Sequence, residues 1–287
     1  MGWGDDGFSG FDASLGGFVG SRYLEGIERR FWLDLWRAPV LDAVEEGGIE
    51  ARRYGPVQAT LVGALPDTPL LNMVLGAAEA GAVSKGHLEA AVEWAESRDL
   101  ACRIPVAVDQ PEAGAAEDFL NRRGYQRTES LVRYVRESSP PRFSEPPGIE
   151  VDEVPEFMEG FSRYLSDGLG LDHMAGPLFD CLPGRESWRS YVAIGEHDTG
   201  IGAATMMVDF RVAMLGFAAT NPSERRKGAN LALLGRCIRD AAGSGCHTLV
   251  ADVEEPITRP AGPSSAARNL LRAGFRATAV RPIWRPA

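Results

Sequence analysis

The chain has 287 residues, enough for two domains of ordinary size, and its hydrophobic fraction of 44% and charged fraction of 24% exclude a largely disordered protein. The formal net charge of −10 argues against nonspecific binding to nucleic acid, because no global positive field would attract a phosphate backbone. The sequence contains no apolar run of membrane-spanning length and no secretory signal pattern, so we expect a cytoplasmic protein without a membrane partner.

Cysteine usage gives no sign of a metal site or a disulfide framework. The cysteines form no C-x-x-C pair, and none has a His or a second Cys at metal-ligand spacing. We therefore expect reduced thiols packed as small apolar groups, and no metal cofactor. The cysteines are Cys102, Cys181, Cys237 and Cys246.

Composition divides the chain into four segments. Residues 1–20 are rich in Gly with scattered Phe and Asp, and we predict a flexible tail there. Residues 138–147 read SSPPRFSEPP, and prolines remove backbone donors and fix φ, so neither a helix nor a central strand can run through this segment. We predict a linker here, which separates a first domain, residues 21–137, from a second domain, residues 148–287.

The first half shows alternating helix and strand patterns. We predict a helix over His87–Arg98, a strand over Cys102–Val108, a helix over Glu112–Arg123 and a strand over Thr128–Arg136. Gly124 separates the last two elements, as is typical of a residue that ends a helix. This alternation indicates an α/β fold.

The second half repeats the order. A strand over Val212–Thr220 leads to a helix over Asn230–Gly243, a short apolar strand over His247–Val253, a helix ending at Arg272 and a strand over Phe275–Ile283. Ser264 or Ser265 can cap the second helix, because a hydroxyl satisfies orphan N–H groups of the first turn.

The matching order of elements indicates an internal duplication. FLNRRGYQR, starting at Phe119, aligns with NLLRAGFRA, starting at Asn269. The number of residues from Gly124 to Gly274 agrees, to within a few residues, with the number that separates the first-half strand from its second-half counterpart. The alternative is a chance similarity between two ordinary α/β segments. We favour duplication because the offset is nearly constant across several elements.

One connection has the geometry of an anion site. The strand ending at Thr220 runs through NPSE into RRKGAN at the start of a helix. Such a turn can aim successive backbone N–H groups at a pyrophosphate, and the positive end of the helix dipole favours the anion. Gly228 has no Cβ and lets the backbone come close, and Arg225, Arg226 and Lys227 add positive charge. The alternative is a solvated basic helix start without a ligand.

This segment resembles the pyrophosphate loop of the Gcn5-related N-acetyltransferase (GNAT) family, written [Q/R]-x-x-G-x-[G/A]. Arg225 and Gly228 match its first and fourth positions, and Pro222 lies where the family often has a proline. Asn230 departs from the pattern, since Gly or Ala is usual there. The segment SSAARNLLRAGF, starting at Ser264, is similar to the fourth-helix signature of a tandem-domain branch of the family.

The resemblance implies an α/β fold of two tandem GNAT-like domains, each with a mixed, mostly antiparallel central sheet flanked by helices. It implies that the second domain binds acetyl-CoA or another acyl-CoA as co-substrate. The first half reads NMVLGAAEAGAVSKGH from Asn72 and lacks the loop pattern, so we expect no CoA there and a structural or acceptor-shaping role. The implied cofactor-binding residues are Ala218, Ala219, Thr220, Arg225, Arg226, Lys227, Gly228, Ala229, Asn230 and Leu231.

Amine acylation needs a base that removes a proton from the ammonium. Asp252 and Glu254 alternate onto one face of the strand Thr248 to Glu254, at the end where parallel strands place their sites, so both are candidates. The alternative reading makes each a solvated carboxylate at a strand end.

The leaving thiolate also needs a proton. Many relatives use a Tyr at the position of Leu270, so Ser265, Asn269 or a water would have to serve here, or the thiolate leaves unassisted. Asn269 could instead be a helix residue whose side chain is hydrogen-bonded to backbone.

The leading hypothesis is an N-acyltransferase in which the amine of a small molecule attacks an acyl-CoA directly in a ternary complex. No Ser-His or Cys-His pairing and no G-x-S-x-G pattern supports a covalent intermediate. One alternative is a CoA-binding sensor or structural module without turnover. Another keeps the transfer but uses a carrier-protein or aminoacyl-tRNA donor, the latter disfavoured by the acidic charge. We expect a monomer or a homodimer.

Overall fold

The computed structural model describes residues 20–39, 41–141, 143–256 and 263–287. The predicted flexible tail, residues 1–20, therefore lies outside the described residues except for Gly20. The elements of the first half are α1 (Ser21–Trp36), α2 (Leu41–Gly47), β1 (Ile49–Tyr54), β2 (Val57–Val62), β3 (Met73–Leu75), α3 (His87–Glu96), β4 (Ile104–Pro105), α4 (Ala113–Arg122) and β5 (Tyr125–Glu137).

The second half begins after the proline-rich segment. Short 3-10 turns cover His173–Ala175, Glu196–Asp198 and Pro222–Glu224. Its helices and strands are β6 (Glu150–Glu153), α5 (Phe161–Leu169), α6 (Gly176–Asp180), β7 (Trp188–Ile194), β8 (Gly200–Asp209), β9 (Val212–Thr220), α7 (Ala229–Gly243), β10 (Thr248–Pro256), α8 (Ser265–Arg272) and β11 (Arg276–Pro286).

The largest difference from the predicted elements is the strand expected over Cys102–Val108, of which only β4 is a regular strand. Pro105 has no N–H to donate to a ladder. The flanking residues are nevertheless paired, because Arg103 N–H donates to the Asn72 carbonyl at 2.9 Å and Val106 N–H donates to the Pro282 carbonyl at 2.9 Å. The segment is therefore extended and held on both edges, as a sheet strand is.

The main sheet has eight strands in the order β4-β11-β5-β10-β9-β8-β7-β6. Only β9 and β10 run parallel among these neighbours. A smaller antiparallel sheet, β1-β2-β3, meets β4 through a parallel bridge between Met73 and Arg103. In each half, a run of antiparallel neighbours is followed by one parallel neighbour, β4 after β3 and β10 after β9. The predicted mixed, mostly antiparallel α/β fold is confirmed.

The two halves exchange their last strands, a feature that the sequence did not predict. In the antiparallel pairing of β10 with β5, Thr248 lies opposite Glu137 and Pro256 opposite Glu129. The other edge of β5 pairs with β11, which also pairs with β4. The last strand of each half therefore completes a sheet begun by the other half.

Helix α1 of the first half packs on strands of the second half. The Phe31 ring lies 4.9 Å from the Trp188 ring and 6.0 Å from the Phe217 ring, between centroids, and the Trp32 and Phe217 rings are 5.6 Å apart. Aromatic pairs of this kind contribute about 0.5–1.5 kcal/mol beyond the area that they bury. The opposite face of the sheet carries α7 and α8, and Leu233 of α7 is fully buried there.

None of the helices in the described ranges combines the length and apolar character needed to cross a lipid bilayer.

Candidate functional site

A groove on the surface follows the end of β9, the loop after it and the first turns of α7 and α8; we call it the outer groove. Nine of the ten residues that the resemblance implies for cofactor binding line it, and Lys227 does not. Ser265 and Asn269 of α8 form the facing wall. The nine are Ala218, Ala219, Thr220, Arg225, Arg226, Gly228, Ala229, Asn230 and Leu231.

Backbone N–H groups at the start of α7 are available for a ligand. The first N–H groups bonded within the helix are those of Leu231 and Ala232, which donate to the Gly228 carbonyl at 2.9 and 3.0 Å. Those of Gly228, Ala229 and Asn230 donate to no acceptor in the described ranges, and no side chain caps the helix. Free donors at the positive end of a helix dipole form a binding site for an anion.

A glycine is required at position 228 because of its backbone conformation and because the linker lies close to it. Its φ is +103°, in the region that favours glycine. A Cβ at Gly228 would lie 2.6 Å from Cβ and Cγ of Pro146, in the proline-rich segment before β6. The sequence argument assigned the missing Cβ to the approach of a phosphate, whereas in the structure the linker occupies that side. Arg226, at φ +68°, is a second left-handed residue in this loop.

The three basic residues of the loop differ in their surroundings. Arg225 Nη2 donates to the Gly168 carbonyl at 2.9 Å and so ties the loop to α5. Lys227 is 61% exposed and its Nζ pairs with Glu224 Oε2 at 2.9 Å, a hydrogen bond that raises the pKa of Lys227. Arg226 has no ion-pair partner in the part of the chain that the structure describes. Arg226 is therefore free to meet an anion, as is Arg272 of α8, which lines the same groove and also has no ion-pair partner among the described residues.

Asn230, the departure from the family pattern, joins the two helices of the groove. Asn269 Nδ2 donates to Asn230 Oδ1 at 2.9 Å. Ser264 caps α8, with its hydroxyl oxygen accepting the Ala267 N–H at 3.2 Å, and Ser265 is left to line the groove. The prediction that a serine caps this helix is confirmed.

The parallel strands β9 and β10 separate and open the sheet. They pair from Val212 opposite Thr248 to Leu215 opposite Ala251, and their later residues diverge. At the point of separation the β8–β9 register shifts between Ala204 and Met206, and Thr205 Oγ1 accepts the Phe217 N–H at 3.1 Å. The resulting fork leads through the sheet into a second cavity, which we call the inner cavity.

The inner cavity shares Ala218 and Asn230 with the outer groove, so the two spaces meet at the fork. Its polar lining includes the predicted candidates Asp252 and Glu254, together with Glu28 and Arg103, which the sequence analysis did not single out. Its apolar lining includes Phe31, Trp32, Leu70, Leu169, Met214 and Phe217.

A sequence signal for Glu28 exists in α1. Glu25 and Glu28 are one helical turn apart and fall on the stripe that carries Leu24, Ile27 and Phe31, all of which are buried. A carboxylate on an apolar helix face is costly unless it is paired, so such a position indicates a buried network or a site.

Glu25 and Glu28 join Arg133, Asp252 and Arg281 in a buried charge cluster. Arg133 contacts all three carboxylates, at 2.7 Å to Glu25, 2.8 Å to Glu28 and 2.8 Å to Asp252. Arg281 contacts Asp252 at 2.7 Å, Glu25 at 3.3 Å and Glu28. Four elements, α1, β5, β10 and β11, supply the members, so both halves build the cluster.

The cluster separates the pKa values of its carboxylates. Burial alone would raise the pKa of Asp252, but Arg133 and Arg281 hold it at about 2. Burial raises the pKa of Glu28 above its ordinary value, in spite of the same two guanidinium groups. Glu28 therefore accepts a proton more readily than Asp252 does.

Glu254 is the more exposed of the two predicted bases, at 37%. Arg103 Nη1 donates to it at 2.6 Å, and Arg285 Nη2 lies 3.3 Å away. Burial lowers the pKa of Arg103, although Glu254 opposes this shift. Of the four predicted catalytic residues, Asp252 and Glu254 thus face the inner cavity, whereas Ser265 and Asn269 face the outer groove.

The corresponding loop of the first half is filled by a side chain of the protein itself. Glu112, just before α4, accepts the N–H groups of Gly81 at 2.9 Å, Val83 at 2.6 Å and Ser84 at 3.2 Å, and the Ser84 hydroxyl at 2.6 Å. The hydrogen bonds from Ser84 and Gly81 contribute most to lowering the pKa of Glu112 from 4.5 to about 2.

Within the described ranges, no group of three or more His, Cys, Asp or Glu side chains is placed to hold a metal ion.

No protein-family model matches the sequence, and a search of curated proteins finds no relative. Solved structures match the fold. A GCN5-related N-acetyltransferase from Kribbella flavida is 16% identical, with a TM-score of 0.58 over 85% of this chain and 93% of that one. Another from Sphaerobacter thermophilus is 14% identical, with a TM-score of 0.54 over 80% and 76%.

A tandem GNAT protein from the clavulanic acid biosynthesis pathway is also similar, at 14% identity and a TM-score of 0.53 over 80% of this chain and 77% of that one. The match to a two-domain protein agrees with the repeated order of elements along this chain. The chain described here therefore has the fold of the GCN5-related N-acetyltransferases.

Proposed function

We propose that the protein is an N-acyltransferase that moves an acetyl or other acyl group from acyl-CoA to the amine of a small molecule, by direct attack in a ternary complex. One observation carries this proposal: the outer groove, whose helix-start N–H groups and Arg226 have no partner among the described residues, meets the inner cavity at Ala218 and Asn230. A donor in the groove could thus present its thioester to an acceptor in a separate, more enclosed space.

The donor would lie with its pyrophosphate at the start of α7 and its pantetheine arm along the end of β9. Its pyrophosphate would accept the N–H groups of residues 228–230 and pair with Arg226, since charge-assisted hydrogen bonds to phosphate are strong. The pantetheine arm would follow Ala218, Ala219 and Thr220 at the edge of β9 exposed by the fork. In this arrangement residues 148–287 form the acyl-CoA-binding domain, and residues 21–137 form the degenerate GNAT-like domain that closes the inner cavity.

The predicted catalytic residues take different roles in this proposal. Ser265 and Asn269 face the groove near Asn230 and are candidates to donate a hydrogen bond to the leaving thiolate. A pKa of about 2 makes Asp252 a poor proton acceptor at neutral pH. Asp252 would instead hold Arg133 and Arg281 in place, and Glu254 would do the same for Arg103.

Two measurements on the full chain test the proposal. Calorimetry with acetyl-CoA should show binding at one site, and acetyl-CoA mixed with a panel of primary amines should release free thiol in amounts equal to the acylated amine. Binding without thiol release from any amine would favour the CoA-binding sensor. Absence of acetyl-CoA binding would contradict the proposal in both forms.

A further inference from the structure

The lining of the inner cavity divides into an apolar part and a charged part. Aromatic rings of Phe31, Trp32 and Phe217 form much of the apolar part, and their mutual contacts hold them in fixed positions. The charged part consists of Glu28 and Asp252 from the buried charge cluster and the Glu254–Arg103 pair. An acceptor in this cavity would meet rings on one side and carboxylates on the other.

Among the described residues, the buried charge cluster has one more carboxylate than guanidinium groups. Three carboxylates, on Glu25, Glu28 and Asp252, face two guanidinium groups, on Arg133 and Arg281. The neighbouring network is balanced, because Arg103 and Arg285 stand against Glu254 and Glu129. A buried charge without a partner is costly, so the cluster favours either a proton or a cation from the cavity.

Glu28 is the cluster member that a proton or a cation in the cavity can reach. Asp252 also faces the cavity, but it is bonded to Arg133 through both carboxylate oxygens and is 2.7 Å from Arg281. Glu25 belongs to the cluster without lining the cavity. An ammonium group in the cavity would therefore balance the cluster at Glu28.

Building on the proposed function, we propose that the acceptor is a primary amine with a single positive charge and an apolar, ring-bearing body, and that the carboxylate of Glu28 takes the proton that the ammonium must lose.

The transfer then balances in atoms and electrons. The ammonium gives one proton to Glu28, and the lone pair of the neutral amine attacks the thioester carbonyl carbon. The C–S bond breaks as the carbonyl re-forms, and CoA leaves as a thiolate. The second nitrogen proton passes to the thiolate, which yields the amide and free thiol, and Glu28 returns its proton to water.

Charge and burial together support the acceptor class. Glu28 is surrounded by Glu25 of α1, Arg133 of β5, Asp252 of β10, Arg281 of β11 and Arg103 beside β4, and burial raises its pKa above the ordinary value, the direction that favours a general base. The aromatic rings attract a cation at their faces and bury an apolar body. An amino acid would add a carboxylate beside Glu28 and Asp252, and a polyamine would place a second cation against the apolar wall. We therefore expect both to be poorer acceptors than a monoamine with an apolar body.

The first test uses wild-type full-length protein, acetyl-CoA and three probes. We expect kcat/KM for 2-phenylethylamine to exceed those for phenylalanine and for spermidine by about 100-fold, since an unpaired charge in a dry site strongly disfavours binding. Thiol release with phenylalanine or spermidine at the same or higher kcat/KM would overturn the acceptor class while leaving the proposed function intact. Failure to bind acetyl-CoA would instead contradict the proposed function.

The second test compares Glu28→Gln with Glu25→Gln, which removes the same charge from the same cluster but away from the cavity. Glu28→Gln should lower kcat by about 10²–10⁴-fold, leave acetyl-CoA affinity unchanged and abolish the rise of kcat with pH through the Glu28 pKa. Glu25→Gln should keep that rise. Equal loss in both variants, or an unchanged pH profile in Glu28→Gln, would overturn the role of Glu28. If Glu28→Gln does not fold, Glu28→Asp should keep the pH-dependent rise at reduced kcat, and its absence would overturn the role.

Discussion

The two strand-to-helix connections, one in each half of the chain, share a backbone design but differ in which groups their N–H donors meet. α3 and α7 both start after a left-handed glycine, Gly86 at φ +70° and Gly228 at φ +103°. In the first half, Glu112 accepts N–H groups of the loop before the helix. In the second half, the N–H groups at the helix start have no acceptor in the described part of the chain, and Arg226 lines the same groove.

This difference shows that a loop with converging N–H groups can meet its acceptor within the chain, as the first half does with Glu112. The loop of the first half still presents several donors to one point, and a carboxylate of the same chain satisfies them. Buried or convergent N–H groups need an acceptor, and an internal one is always present, whereas a ligand must bind from solution. In the proposed function, the ligand therefore binds at the connection that has no internal acceptor among the described residues.

The largest expected effect is on acyl-CoA affinity in the second connection. Arg226→Ala removes the last arginine of the outer groove before the start of α7 and should weaken acetyl-CoA binding by about 1.5–3 kcal/mol, or roughly 10- to 150-fold, as expected for one charge-assisted contact. The matched control is Lys85→Ala, which removes the cation next to Gly86 in the first half and should leave affinity unchanged. Calorimetric titration of both variants would contradict the assignment if Lys85→Ala had the larger effect.

In the first connection the expected effect is on stability. Glu112→Ala leaves three N–H groups and a hydroxyl without their acceptor and should lower the free energy of unfolding by about 1–2 kcal/mol, as loss of a helix cap does. Asp118→Ala, at an exposed position of α4, is the control and should change it little. Urea denaturation measures both. Added sulfate should restore more stability to Glu112→Ala than to wild type, because the freed donors can bind it; equal responses would contradict this view.

The same carboxylate should give the first connection a pH dependence. The pKa of Glu112 is lowered from 4.5 to about 2, so its stabilisation is complete above pH 4.5 and is lost as the pH falls toward 2. The difference in unfolding free energy between wild type and Glu112→Gln should therefore be largest near pH 6 and shrink at pH 3. Urea unfolding at several pH values tests this, and a difference that grows on acidification would be the contrary result.

The smallest effect is expected at Lys227. Its ammonium pairs with Glu224, is well exposed and does not line the outer groove, so Lys227→Ala should change acetyl-CoA affinity by less than about 0.5 kcal/mol. Titration beside Arg226→Ala measures this directly. A loss as large as that of Arg226→Ala would mean that the whole basic run, rather than Arg226, holds the donor.

Local patterns predicted much of the fold. The apolar run Val212–Thr220 has the bounds of β9, and the helix expected from Asn230 begins one residue earlier, at Ala229. The helix starts depend on nearby residues, Gly228 before α7 and the capping Ser264 before α8. The repeat also placed α4 and α8 in corresponding positions. What the patterns could not give was the exchange of β5 and β11, because strand pairing between distant segments leaves no local mark.

The site was predictable to a similar degree. Gly228 was predicted from the turn before the helix and Ala218 from the family resemblance, and both line the outer groove. Asp252 and Glu254 were placed at the fork from strand alternation alone, but their ion pairs with Arg133 and Arg103 depend on tertiary packing. For the same reason Glu28 was missed: α1 reaches the inner cavity from a remote part of the chain.

The exchanged strands have a consequence for how the protein is made. β5 is synthesised long before β10 and β11, between which it lies in the finished sheet. Until those strands emerge from the ribosome, both edges of β5 are unpaired, and its Val132 and Val135, buried in the native state, are exposed. Unpaired apolar edges bind one another, and distant pairings form slowly. The nascent chain should therefore depend on chaperones until its last strand is made.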